Sequence, residues 1–242
     1  MKKVNFIAQS KGGVGKSLFA WFVAQATKED EETIFIDLDN STRTSRRLSG
    51  FIDSSRVAEL SILDNFNKLD RIKFMDMFEQ ISSNNATNFY VDLGAPESVE
   101  FKGMFDFEFP AEEVAAVLTE LEIDLTVYVV ISGSDAMTQC IEYYDALTTS
   151  VQGHFNVIPL INEGTFGGSK NLESGFQVFR DTGTEFMSFG NLGESDAAKN
   201  IIGVITEQKD IDSLTMSGKM LFRRELKKVN AIIQSTELEA AN

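Results

Sequence analysis

The stretch that most constrains this chain is VNFIAQSKGGVGKSLFAWFVAQ, residues 4–25. An apolar run leads into Gly12, Gly13 and Gly15, and a second apolar run of helical length follows without a break. Glycines at this spacing let the backbone curl until successive N–H groups point into one hollow. The first turn of the helix adds the positive end of its dipole. Strand, glycine loop and helix in this order form a cradle for phosphate. Lys16 then sets a charge against the β and γ phosphates, and Ser17 offers a hydroxyl to Mg²⁺. One detail departs from the usual G-x-x-x-x-G-K-[ST] pattern. Ser10 stands where glycine is asked for, and a second lysine, Lys11, comes next.

The rest of the chain alternates in the same way. KVNFIAQ, TIFIDLD, NFYVDLG, DLTVYVVIS, FNVIPLIN and TEFMSFG are short apolar runs without polar alternation, as in strands covered on both faces. A weaker strand is expected in RVAELSIL, residues 56–63. Helices are expected over 17–28, 69–83, 111–122 and 134–150, the second with Ile72, Met75, Phe78 and Ile81 on its buried side. The 94–110 stretch, GAPESVEFKGMFDFEFP, reads as a long aromatic loop that either covers the sheet edge or meets a second subunit. Strands alternating with helices predict a doubly wound α/β fold. A mainly parallel sheet of about seven strands would lie between helical layers, the three-layer α/β/α arrangement of P-loop NTPases. With three prolines in the chain, no Pro-rich linker divides it, and residues 1–242 are expected to form one domain ending in a helix near 218–236.

Composition removes several classes. No apolar run is long enough for a membrane helix, and the basic-then-apolar start reads as a strand rather than a signal peptide. A cytoplasmic location is the expectation. The one cysteine, Cys140, excludes a disulfide framework or a cysteine-bound cluster within one chain, and its helical setting predicts a buried thiol. The one histidine, His154, cannot make a His-rich metal site. A net charge of −15 argues against a surface that grips nucleic acid everywhere, so DNA contact would need a local basic patch.

Two further segments supply carboxylates. Asp37 and Asp39 alternate along one strand, so both face one way near the carboxyl end of the sheet, where ligands of open α/β sheets bind. NFYVDLGAP ends an apolar strand in Asp92, the Walker B pattern of a carboxylate that holds Mg²⁺ through water.

The string K-G-G-V-G-K-S resembles the deviant phosphate loop of the ParA/MinD family, with a complete match at Lys11, Gly12, Gly13, Gly15, Lys16 and Ser17. The resemblance implies an ATPase using ATP and Mg²⁺ in which Lys11 reaches the partner subunit's nucleotide across a homodimer. It implies that Asp37 belongs to the Mg²⁺ shell with Ser17 and Asp92, and that Asp39 orients or deprotonates the attacking water. Lys11, Lys16 and Asp39 would then be catalytic. Lys11 to Leu18, including Val14, would hold the nucleotide, with Asn162 at the adenine and Asn191 on the same side. Asn40 and Ser41 replace the family's Pro-Gln, which puts the shape of that switch and the hydrolysis rate in question. The later half is more loosely similar to the plasmid-encoded TraL/StbB branch of the family.

The C-terminal segment 217–235 places Phe222, Leu226, Val229 and Ile233 on one helical face and Arg223, Arg224, Lys227 and Lys228 mostly elsewhere. It is a docked last helix, a local patch for DNA or a partner protein, or a membrane-surface helix. The acidic tail that follows disfavours the membrane. Arg43, Arg46 and Arg47 form a second basic spot. The expected function is an ATP-dependent dimerising switch, reset by slow hydrolysis that a partner encoded nearby speeds, in plasmid or DNA partition, stability or conjugative transfer. A metabolic synthetase on the same fold, or a nucleotide-binding scaffold with little hydrolysis, stays open.

Overall fold

The computed structural model describes residues 1–39 and 44–239, with side chains to 235. One sheet runs through it: β1 (Lys2–Ala8), β2 (Thr33–Asp37), β3 (Val57–Glu59), β4 (Asn88–Asp92), β5 (Ile123–Ser132), β6 (Asn156–Asn162) and β7 (Met187–Phe189). The seven strands lie in the order β3-β2-β4-β1-β5-β6-β7 and every pairing is parallel. Parallel pairing requires a crossover between neighbours, and the helices supply it. They are α1 (Lys16–Ala26), α2 (Thr44–Leu48), α3 (Arg71–Ser83), α4 (Ala95–Phe107), α5 (Ala111–Glu120), α6 (Met137–Val151), α7 (Ser169–Thr182), α8 (Asp196–Thr206) and α9 (Met216–Glu239). No helix of the described residues is long and apolar enough to cross a membrane.

Both sheet faces are covered, which is why the strands read as unbroken apolar runs. On one face Phe6 of β1 meets Phe78 of α3, stacked at 5.9 Å, and Phe101 of α4, edge-on at 5.2 Å. On the other face Phe19 of α1 packs on Tyr128 of β5 and Phe189 of β7. There Trp21 and Phe22 receive Phe222 of α9. Cys140 is fully buried, as its helical setting predicts.

Three expectations need correction. Residues 95–107 are helix α4, not an irregular loop. Gly94 caps it, Pro96 stands in its first turn, and Phe101, Met104 and Phe105 bury at helical spacing while Phe107 is exposed. The buried face of α3 is Phe74, Met77, Phe78 and Ile81, whereas Ile72 is 74% exposed and Met75 only packs at the rim. The last helix is longer than expected, and its core-facing side carries a fully buried carboxylate, Glu225, among Phe222, Val229 and Ile232.

The chain runs from β1 out to β2 and β3, returns with β4, then passes β1 to reach β5, β6 and β7. The carboxyl end of β1 therefore stands where the winding reverses, the place where open α/β sheets leave a crevice.

Candidate nucleotide-binding site

The glycine loop leaves the end of β1 and enters α1. Gly13 and Gly15 hold left-handed angles, φ 76° and 111°, which a side chain would strain. A Cβ on Gly15 would also overlap the side-chain amide of Asn162. That amide donates from Nδ2 to the Val14 carbonyl at 2.8 Å, so the end of β6 braces the loop. Asn162 is thus buried against the loop backbone, in the position expected from its strand end, with its amide engaged there rather than facing open space. Gln9 fixes the other side. It is fully buried and donates from Nε2 to the carbonyls of Val130 and Cys140.

The two lysines differ in setting. Lys16 is buried, and its ammonium donates to the carbonyls of Gln9 at 3.0 Å and Lys11 at 3.4 Å. Burial pushes its pKa down, and the Asp92 and Asp39 carboxylates oppose that shift. Lys11 is exposed at the lip of the loop, and its ammonium has no hydrogen bond or ion pair among the described residues. It borders a cleft of about 370 Å³ between α4 and α6, with Val99, Lys102, Gln139 and Glu142.

The carboxylates gather at the ends of β2 and β4. Asp37 and Asp92 are register partners in neighbouring strands. Asp37 accepts the backbone N–H of Asp39 on one oxygen at 3.0 Å and that of Ser45 on the other at 2.8 Å. It thereby staples the two flanks of residues 40–43. The Asn40–Ser41 departure and Arg43 lie outside the described residues. Asp92 accepts the Thr44 hydroxyl at 3.0 Å on Oδ2, while its buried Oδ1 has no hydrogen-bond partner among the described residues. Burial pushes the Asp92 carboxyl up to about 7. Burial likewise raises Asp37.

Gly12 to Leu18 line a cavity of about 440 Å³ with Asp39, Arg47, Ala95 and Pro96. That falls within the usual range for small-ligand pockets, about 300–1,000 Å³. Arg47 of α2 thus turns out to border the phosphate loop, while its neighbour Arg46 is exposed. The donor set suits a divalent cation shared with phosphates rather than caged by protein. Among the described residues no three acidic, histidine or cysteine side chains form a metal cluster. Instead the Ser17 side chain hydrogen-bonds the Asp92 carboxyl, whose Oδ1 keeps no other partner among the described residues, a hydroxyl and a carboxylate of the kind that hold a hydrated Mg²⁺. Such a cation would neutralise charge on the β and γ phosphates.

No family model matches the sequence, and no curated protein does. Solved structures do. A protein assigned to plasmid partition in Borrelia burgdorferi, bound to AMPPNP, superposes with a TM-score of 0.55 at 12% identity, covering 97% of this chain and 99% of that one. A chain of the MinC:MinD cell division complex of Aquifex aeolicus gives 0.53 at 13% identity and 96% coverage of each. The ATP complex of a McdA variant from Cyanothece gives 0.51 at 16%, covering 98% and 96%. The fold is the ParA/MinD fold.

The glycine loop, Asp37 and Asp92 lie at the carboxyl ends of β1, β2 and β4, and Asp39 follows just beyond the end of β2. Asn191 does not present a free backbone to the site: its N–H donates to Glu225 Oε2 at 3.0 Å and its carbonyl accepts from Arg224. The basic face of α9 is also thinner than it reads. Lys228 is tied to Glu163 and Glu225, and Arg224 to Asn191 and Glu225, which leaves Arg223 and Lys227 exposed. One residue escaped the sequence reading altogether. Glu97, in the first turn of α4, is buried beside Gly94 and Asp39. The signal was an acid directly after Ala-Pro in a strand-end loop, hidden because the segment did not read as a helix.

Proposed function

We propose that this protein is a ParA/MinD-type ATPase that dimerises on binding ATP and Mg²⁺ and is reset by slow hydrolysis. The observation that carries the reading is the complete K-G-G-x-G-K-S loop at the tip of the central strand, with Lys16 buried among carboxylates and Lys11 exposed without a partner among the described residues. Backbone N–H groups of Gly12 to Ser17 cradle the phosphates. Lys16 neutralises the terminal ones. Ser17, with Asp37 and Asp92 behind it, holds Mg²⁺. Asp39 sits at the cavity wall, where it orients the attacking water. A cation on the lip has its use in a second copy of the chain, where Lys11 meets charge that develops in phosphoryl transfer.

The process served is partition, maintenance or transfer of a DNA cargo, as the partition protein among the structural neighbours suggests. An activating partner, expected to be encoded nearby, speeds hydrolysis and so times the release of the two subunits. The test is solution mass by light scattering. ATP with Mg²⁺ is expected to double it, ADP to leave it unchanged, and Lys11→Ala to abolish the doubling while nucleotide binding persists. A parent protein that stays monomeric under saturating ATP and Mg²⁺ overturns the reading.

A further inference from the structure

We infer that Glu97 is a further catalytic carboxylate of this site, holding the attacking water together with Asp39. The inference rests on the ATPase reading above and adds a residue to it. Acidic side chains in a first helical turn normally lie in water and favour the helix dipole from there. Glu97 instead is 4% exposed, and its Oε2 has no hydrogen-bond partner among the described residues. A buried acceptor without a donor has given up its hydration for nothing, so such atoms in native proteins usually face a water, an ion or a reacting group.

Its direction is defined by Gly94. A Cβ on Gly94 would overlap Oε2 of Glu97 and stand 3.1 Å from Cγ of Asp39. The two carboxyl groups therefore flank the same glycine, and Asp39, Ala95 and Pro96 line the phosphate cavity. Gly94 has φ −61° and ψ 170°, which any residue adopts, so its bare Cα matters for space and not for backbone freedom. The first turn of α4 is also held from behind. Ser98 Oγ donates to the Gly94 carbonyl at 2.8 Å and accepts the Gln9 N–H at 3.0 Å, and Tyr143 donates to the Ser98 carbonyl. Gln9 begins the glycine loop, so loop and carboxylate are held by one network. Lys16 and Asp39 both act electrostatically on Glu97.

In the step, the water oxygen forms a bond to the γ phosphorus. The bond from that phosphorus to the β,γ-bridging oxygen breaks, and its electron pair leaves on ADP. The proton given up by the water passes to the Asp39–Glu97 pair and then to the released phosphate.

The test uses the full chain with ATP and Mg²⁺, comparing the parent with Glu97→Gln and Glu97→Ala. Fluorescent-nucleotide binding, solution mass, single-turnover phosphate release and thermal melting are read for each. Glu97→Gln is expected to bind nucleotide within about threefold of the parent and to keep the ATP-dependent mass, while phosphate release falls about 100-fold or more, the usual scale of a general acid–base group. Glu97→Ala should show the same split. A Glu97→Gln rate within twofold of the parent overturns the proposal. So does a loss of binding in step with rate, because that marks a helix-capping role only. A parent that binds ATP but never hydrolyses it fails at the ATPase reading itself, and Glu97 falls with it.

Discussion

At the scale of single residues, the site gathers groups that disfavour one another until a ligand arrives. Asp37 and Asp92 are neighbours in register, and burial raises both. For Asp92 the shift runs from an ordinary 3.8 to about 7. Between those values the folded chain keeps a proton that the unfolded chain has lost. Stability of the nucleotide-free protein therefore falls as pH rises from about 4 to about 7 and levels off above. Asp37 and Glu97, also raised by burial, act in the same direction. The melting temperature is expected to drop between about pH 4 and pH 7, and Asp92→Asn should flatten much of that drop. A parent profile that is level or rising over this range would contradict the assignment. The same variant should lose Mg²⁺-dependent hydrolysis, so greater stability and lost activity arrive together.

At the scale of elements, the loop depends on β6 as much as on its own glycines. Asn162→Ala removes the donor to the Val14 carbonyl and opens space beside Gly15. Leaving that carbonyl unpaired should cost about 1–3 kcal/mol, read as a shifted urea midpoint. Gly15→Ala is expected to be harsher for nucleotide binding, since it meets both a left-handed angle and the Asn162 amide. A binding titration within twofold of the parent would show that the loop tolerates both.

The strands were readable from sequence because each is covered on two faces and leaves an apolar run between turn signals. The helices were harder: α2, α7 and α8 have no counterpart among the expected spans, and α3 and α4 differ from expectation. In α3 the stripes Ile72–Met75 and Phe74–Met77–Phe78–Ile81 overlap, and only the ring of Phe6 on the sheet decides which is inside. In α4 the buried positions of the first turn are Glu97 and Ser98, so the apolar period begins only at Phe101. Phe105, Phe107 and Phe109, spaced by two, mimic an extended segment. The site followed the same division. Lys11, Lys16, Asp37, Asp39 and Asp92 sit in strand-end motifs, whereas Arg47 reaches the cavity, and Glu97 the side of Gly94 and Asp39, only through the packing of α2 and α4.

For the molecule as a whole, a net charge of −15 leaves little room for a nucleic-acid surface. On α9 the internal ties of Arg224 and Lys228 leave Arg223 and Lys227 as the exposed cations without a partner among the described residues. DNA binding through this helix should therefore show a logarithmic salt slope per chain no steeper than about −2. Anisotropy titrations at several salt concentrations measure it, and a much steeper slope would place the DNA surface elsewhere. The central position of β1 also has a consequence for synthesis. Lys3 pairs with Asn88 on one side and Asp124 on the other. A ribosome making about 5–20 residues per second needs on the order of ten seconds between releasing β1 and releasing both its neighbours. Until β4 follows, VNFIA has no neighbouring strand to pair with, and until β5 follows it is paired along one edge only. The glycine loop is therefore framed late, because β1 is made before both of its neighbours.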